Sequence, residues 1–192
     1  MDAGLAAVLG ALAGAVATTG AAFATGWSAR EQAKMAARAE HLRQRRDARQ
    51  AVYEEFIAAA AAHSDLTKIL LLPVPEDFED MERLRLLPEG MDLQDVIRES
   101  ESLHKTLREI ATRVQIAGPK EVSAAATVVE DNSREVSASL GVMRVPTLAE
   151  IPGWTLSEKW REGCTRFVNF SGAVDEFAEK ARIALDNDGT KP

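Results

Sequence analysis

The first feature of the chain is a hydrophobic pattern without charge, because no Asp, Glu, Lys, Arg or His lies between Asp2 and Arg30. A bilayer core requires about 20 mostly apolar residues in a helix. The stretch is longer than that and is rich in Ala and Gly, and Trp27 stands near its end, where an amphipathic ring prefers the headgroup level. The pattern predicts a transmembrane helix over residues 1–29.

The residues after this stretch predict its orientation. Basic side chains recur from Arg30 to Arg49, and we expect Trp27, Arg30, Lys34 and Arg38 to lie at the membrane interface. Lys and Arg close to a span favour the cytoplasmic side. We therefore expect a single-pass protein of the plasma membrane, with its N-terminus outside and its C-terminal domain in the cytoplasm.

Two alternatives concern the same stretch. Residues 22–24 match the small-x-small cleavage pattern of a secretory signal, but the basic n-region is missing, the stretch is long for such a signal, and the basic run downstream would resist export. Gly10 and Gly14 form a small-xxx-small pair that allows two spans to pack closely. An Ala/Gly-rich segment also meets this pattern by chance, so self-association through the span stays one of two interpretations.

After the span, apolar residues recur every three or four positions, which predicts amphipathic helices. Residues 30–50 carry few large apolar side chains and predict a basic juxtamembrane helical stalk. Residues 51–187 carry four such patterns, and 188–192 form a polar tail. The patterns run over residues 51–72, 93–117, 119–140 and 156–185. With no alternating β-type run, they predict an all-α fold, in which the transmembrane helix continues into an antiparallel four-helix bundle.

Three positions within these patterns carry expectations of their own. Asp92 is a plausible N-cap for the helix that begins at residue 93. The third pattern is the least apolar, with Asn132 and Ser133 where a large residue is expected. In the fourth pattern, either Phe170 or Ser171 takes the core position.

The connections between these helices differ in length. Gly118-Pro119 predicts a tight turn, whereas 73–91, with a short helix expected over 76–87, and 142–155 are long. An up-down order places both long connections at the end of the bundle distal to the stalk. Their apolar residues either close the core or form a docking surface, for which the candidates are Leu72, Phe78, Leu86, Leu87, Ile151 and Trp154.

The charge distribution and the candidate reactive side chains limit the classes of function that the sequence supports. The net charge is +4 over residues 28–50 and −10 over 51–192, which argues against broad nucleic-acid binding by the bundle. Cys164 is the only cysteine and lies on an apolar face, as inert buried thiols do. His41, His63 and His104 are widely spaced, and we expect His63 to be a hydrogen-bonded core residue. No catalytic or metal motif is present, so we predict no enzyme and no cofactor.

Three segments resemble a widespread set of uncharacterised actinobacterial single-pass membrane proteins. They are Arg45-Arg46-Asp47-Ala48-Arg49-Gln50-Ala51-Val52-Tyr53 and its continuation to Ala60, Val114 to Val122, and Phe177 to Leu185. The resemblance implies an anchored, Ala/Arg-rich cytoplasmic helical domain and brings no activity with it.

These patterns together predict a membrane-anchored cytoplasmic helical interaction or scaffold protein. Its expected partners are the lipid bilayer and another protein or a second copy of itself, and no specific nucleic acid is expected. The alternative is that the basic stalk itself binds anionic lipid or nucleic acid.

Overall fold

A computed structural model describes residues 3–72, 87, 90–143 and 156–187, without the side chains of residues 3–24, 143, 156 and 157. Four helices account for almost all of it: α1 (Ala3–Leu71), α2 (Leu93–Ala117), α3 (Lys120–Met143) and α4 (Leu156–Asp186). The described residues include no strand, so the all-α prediction is confirmed. The expected short helix over 76–87 falls on residues that, apart from Leu87, lie outside the described chain.

The chain divides into two compact units, Met1–Arg45 and Arg46–Pro192. In the described part of the chain, no helix combines the length and the apolar character needed to cross a bilayer. Residues 1–24 make up most of the predicted span and include Gly10 and Gly14. Their side chains lie outside the described part of the structure.

The second unit is a helical bundle whose α1 segment carries one buried face. Tyr53, Phe56, Ala60, His63 and Leu70 are buried at spacings of three, four and seven, as the pattern predicted. Spacings of this kind place side chains on one side of a helix, over successive turns. The face therefore lies against the other three helices rather than in solvent.

Aromatic rings from α4 pack against this face. The ring centroid of Phe177 lies 6.0 Å from that of Tyr53 in an edge-on arrangement, and 4.5 Å from that of Phe56 in a tilted one. Buried rings in contact contribute both apolar area and favourable ring geometry. The sequence left Phe170 and Ser171 as alternatives for the buried position on α4, and the structure buries Phe170.

The N-terminus of α2 is closed by a reciprocal cap. The Asp92 side chain accepts a hydrogen bond from the backbone N–H of Asp95, and the Asp95 side chain accepts one from the N–H of Asp92. Such a cap satisfies donors that have no partner within the helix. The predicted N-cap at Asp92 is confirmed.

Contacts between helix ends define the order of the bundle. The Arg49 Nε donates to the carbonyl oxygen of Ala117 over 2.7 Å, so the end of α2 lies beside the start of the bundle part of α1. The Cys164 thiol lies 3.8 Å from the carbonyl oxygen of Leu72, so α4 starts where α1 ends. These contacts confirm the antiparallel order and place the Gly118-Pro119 turn at the Arg49 end.

Candidate functional site

Among the described residues, the bundle core contains a layer of polar side chains. His63 of α1, Ser100 of α2, and Ser133 and Ser137 of α3 are all buried, three of them with no exposed surface. Each occupies a position where its helix pattern predicts an apolar residue, and Ser133 and Ser137 lie one turn apart on the same face of α3. Three helices thus contribute this layer to a core that is otherwise mainly apolar.

Both nitrogens of the His63 ring contact hydroxyl groups. Nε2 lies 2.9 Å from the Ser100 Oγ and 3.2 Å from the Ser137 Oγ, and Nδ1 lies 3.0 Å from the Ser133 Oγ. These distances are within the usual range for hydrogen bonds. The imidazole therefore links α1 to α2 and α3 at once.

The network continues beyond these four residues. The Ser133 Oγ lies 3.2 Å from the His104 Nδ1, and the Ser100 and Ser137 hydroxyls are 2.8 Å apart. The Ser137 hydroxyl also contacts the Ser100 carbonyl oxygen over 3.3 Å, while the Thr67 hydroxyl donates to the carbonyl oxygen of His63. Every polar side chain of the layer therefore has a partner.

With a neutral His63, one assignment of protons gives every side chain of the layer a hydrogen-bond partner. The 3.2 Å contact between the His63 Nε2 and the Ser137 Oγ is then a second, longer contact of the N–H that donates to Ser100. The His104 Nδ1–H donates to Ser133, and the Ser133 hydroxyl donates to the His63 Nδ1. The His63 Nε2–H donates to Ser100, Ser100 donates to Ser137, and Ser137 donates to the Ser100 carbonyl oxygen. Neutral imidazole supplies one donor and one acceptor, which is what this chain of bonds requires.

The surroundings of the ring oppose a positive charge. Burial, and to a smaller extent the neighbouring His104, lower the pKa of His63 from 6.5 to about 4. The edge of Phe170 completes the enclosure, with ring centroids 5.3 Å apart. A buried ring without a counter-ion favours the neutral form.

His104 stands at the edge of the same network. Burial lowers the pKa of His104, Glu130 raises it, and Arg108 and Arg134 lower it. The ring is half-buried, so it connects the enclosed layer with the charged surface of α2 and α3.

The chemistry open to this layer follows from its enclosure. A Ser hydroxyl beside a His nitrogen resembles the nucleophile and base of a hydrolase. Such a pair must reach a substrate, however, and His63 and Ser100 both have 0% of their surface exposed. The arrangement is therefore suited to holding the helices together and responding to a proton, rather than to attacking a bound molecule.

A groove of about 520 Å³ lies at the Arg49 end of the bundle. Its walls include Val122 at the start of α3 and Ile183 of α4, with Arg49 and Lys180 beside them. Its size is within the range of small-molecule sites. Its two cationic side chains already have partners within the chain, since Arg49 is bonded to Ala117 and Lys180 pairs with Glu176.

The residues predicted at the membrane interface are exposed. Trp27 has 64% of its surface exposed, and Arg30, Lys34 and Arg38 are exposed as well. Lys34 pairs with Glu31 one turn away over 2.9 Å. All described side chains from residue 25 to residue 45 are exposed, so the first unit presents this basic segment to its surroundings.

The predicted distal docking surface is described only in part. Leu72 has 48% of its surface exposed, whereas Leu87 is partly buried against the core, together with Met91. Phe78, Leu86, Ile151 and Trp154 lie outside the described residues. Of the two residues described, Leu72 is therefore about half exposed and Leu87 packs against the core, and the docking surface stays a prediction.

Sequence reasoning found part of the polar layer. It placed His63 on the core stripe as a hydrogen-bonded residue, which is confirmed, and it noted Ser133 at a position expected to be large and apolar. It did not connect Ser100 or Ser137 with His63. The signal was present as a hydroxyl residue at a core position in each of two helices, but only the packing of the helices shows that they meet.

In the described chain, no group of three or more His, Cys, Asp and Glu side chains lies close enough to hold a metal ion. Cys164 is buried near the carbonyl oxygen of Leu72. Comparisons with protein-family models, curated proteins and solved structures find no match to this chain.

Proposed function

We propose that the chain is a membrane-tethered helical interaction protein, whose uncharged segment lies in the plasma membrane and whose bundle lies in the cytoplasm. The observation that carries this proposal is the segment from residue 25 to residue 45. Its side chains are all exposed, and it combines Trp27 with five Lys and Arg residues directly after the uncharged stretch. An aromatic ring followed by cationic side chains is typical of the cytoplasmic border of a span.

Membrane association is tested by fractionating cells that express the full chain. We expect the protein to stay in the membrane fraction in high salt, since apolar burial is not screened. The double variant Leu9→Arg/Leu12→Arg is expected to move to the soluble fraction, because each Arg at the centre of a span costs roughly 2.5–3.5 kcal/mol. Leu42→Arg is the matched control and should remain in the membrane. A wild-type protein that is soluble in high salt would contradict the proposal.

Orientation is tested separately with two reporters placed after Pro192, one active only in the cytoplasm and one active only outside it. The cytoplasmic reporter should be active and the other silent. Reversal of this result would contradict the expected orientation even if the protein remains in the membrane.

The interaction part of the proposal is supported by Leu72. This side chain is about half exposed beside Leu71, which is fully buried. Cross-linking in native membranes should capture another protein or a second copy, and Leu72→Asp should weaken the cross-linked band. Val128→Asp, at a similarly exposed position on α3, is the matched control. Equal bands from both variants would remove Leu72 from the interface.

A second candidate function is binding of anionic lipid or nucleic acid through the basic segment, which is favoured by the exposure of Arg38, Arg43 and Arg45. Reversing these three charges to Glu in the full chain should abolish binding to anionic vesicles or DNA, whereas reversing Lys105, Arg108 and Lys120 should not. Steep weakening of DNA binding with salt would favour this function over the tethered interaction protein. Binding that does not depend on the three arginines would exclude it.

A further inference from the structure

We propose that the layer formed by His63, Ser100, Ser133 and Ser137 is an acid-sensitive latch. When the imidazole is neutral, it holds α1 against α2 and α3, and a proton on the imidazole releases that contact. This property is independent of the membrane attachment and of any partner, because it rests on contacts within the Arg46–Pro192 unit alone.

His63 is the residue through which the helices of the layer are connected. The ring of His63 joins Ser100 on α2 with Ser133 and Ser137 on α3, over distances of 2.9–3.2 Å. The ring is therefore the polar group that ties three helices together at this level. In a close-packed core, losing a group with these bonds leaves several buried hydroxyls without partners.

A positive charge on the His63 ring would meet no compensating group among the described residues. α2 presents Ser100 and His104 to the layer, α3 presents Ser133 and Ser137, and α4 presents the ring of Phe170. In the described residues, no carboxylate contacts the imidazole. A buried charge without a partner is costly, so protonation is linked to opening of the layer.

The charged groups nearby do not change this conclusion. Glu130 favours a charged His104, while Arg108 and Arg134 oppose it. On α1, Asp65 is exposed and pairs with Lys68. On α4, the guanidinium of Arg166 is bonded to Ser139 and to Glu162. These carboxylates are thus engaged elsewhere or act on His104, and a charge on His104 would itself repel a charge on His63.

The direction of the pH effect follows from linkage. The pKa of His63 is about 4 in the folded chain against 6.5 for an ordinary histidine, so the unfolded chain binds the proton more readily. Stability is then complete above pH 6.5 and is lost as the pH falls from 6.5 towards 4. These two values predict that the equilibrium constant for unfolding the bundle rises about 30-fold between pH 7.5 and pH 5.0.

The test is hydrogen exchange of the full chain at pH 7.5 and pH 5.0, corrected for the intrinsic exchange rates. Protection of amides in residues 97–107 and 129–140 should fall by about 30-fold in the wild type. His63→Gln keeps an uncharged hydrogen-bonding group and should lose most of this response. His104→Gln should lose a smaller part, and His41→Gln, which lies outside the Arg46–Pro192 unit, should respond as the wild type does.

Two results would overturn the latch. One is a full response to pH in a folded His63→Gln variant. If that variant does not fold, the test is the titration of the ring signals of the wild type, assigned by comparison with His41→Gln and His104→Gln. A His63 ring that titrates at or above pH 6.5 would then overturn the latch. Titration below pH 6.5 together with loss of protection in the same two segments supports the latch.

Discussion

At the scale of single residues, the core tolerates polar groups only where each has a partner. Ser100, Ser133 and Ser137 would interrupt an apolar pattern in any of their helices, and each is compensated by a bond to His63 or to a neighbouring hydroxyl. A sequence pattern shows that a serine stands at an apolar position, but it does not show the hydrogen bond that satisfies the serine, because the two partners lie 37 or more residues apart. The polar layer is therefore the part of the candidate site that sequence reasoning could only half predict.

Two glycines should respond in opposite ways to the same substitution. A Cβ at Gly118 would lie 2.9 Å from the hydroxyl oxygen of Tyr53 and 2.9 Å from the carbonyl oxygen of Val114, whereas a Cβ at Gly172 meets nothing within 4 Å. We expect Gly118→Ala to lower the free energy of unfolding by about 1–3 kcal/mol through overpacking. Gly172→Ala should raise it by about 0.5–1 kcal/mol, since Ala is the better helix former.

Chemical denaturation of both variants against the wild type measures these changes. A Gly118→Ala protein as stable as the wild type would show that Tyr53 moves aside easily, and would contradict the close approach at the turn.

At the scale of single helices, local pattern and end chemistry account for what is observed. The predicted helix over 93–117 matches α2 at both ends, because Asp92 caps its start and the Gly118-Pro119 turn follows its last residue. The third helix extends to Met143 rather than Leu140, so it continues through Gly141 despite the low helix propensity of glycine. Helix ends are therefore predictable where a cap or a proline stands, and less so elsewhere.

The cap of α2 offers a test at this scale. Asp92→Ala removes the acceptor for the Asp95 N–H and should lower the free energy of unfolding by about 1 kcal/mol. Glu99→Ala, at an exposed position within the same helix, is the matched control and should change it by less than about 0.5 kcal/mol. Thermal unfolding followed by circular dichroism gives both values, and equal effects would show that the cap is dispensable.

At the scale of the whole molecule, the bundle is held together by contacts between residues that are distant in sequence. Phe177 of α4 meets Tyr53 and Phe56 of α1, and the guanidinium of Arg113 forms two hydrogen bonds with the carboxylate of Glu55, of 2.6 and 2.8 Å. The aromatic contact is buried and the ion pair is exposed. Exposed ion pairs contribute about 0–1 kcal/mol to the free energy of unfolding. The buried contact of Phe177 with Tyr53 and Phe56 therefore contributes more to the stability of the bundle.

This ranking predicts the effect of truncating Phe177. Phe177→Ala should lower the free energy of unfolding of the bundle by about 3–5 kcal/mol, because it leaves a cavity between α1 and α4. Val168→Ala on the same helix removes an exposed side chain and should have an effect within about 0.5 kcal/mol. Denaturant unfolding of the two variants measures both changes in the free energy of unfolding. A small effect of Phe177→Ala would mean that the neighbouring side chains rearrange to fill the space.

The sequence by itself determined the helical class, the α2 cap and the buried faces, because periodicity and capping act within one helix. It also indicated the antiparallel order, because helices joined by one tight turn can pack in few ways. Only the tertiary structure decided that a histidine and three serines from three helices meet in one enclosed layer. Hydrogen bonds between distant residues depend on the rotation and height of each helix against its neighbours, and a one-dimensional pattern contains neither quantity.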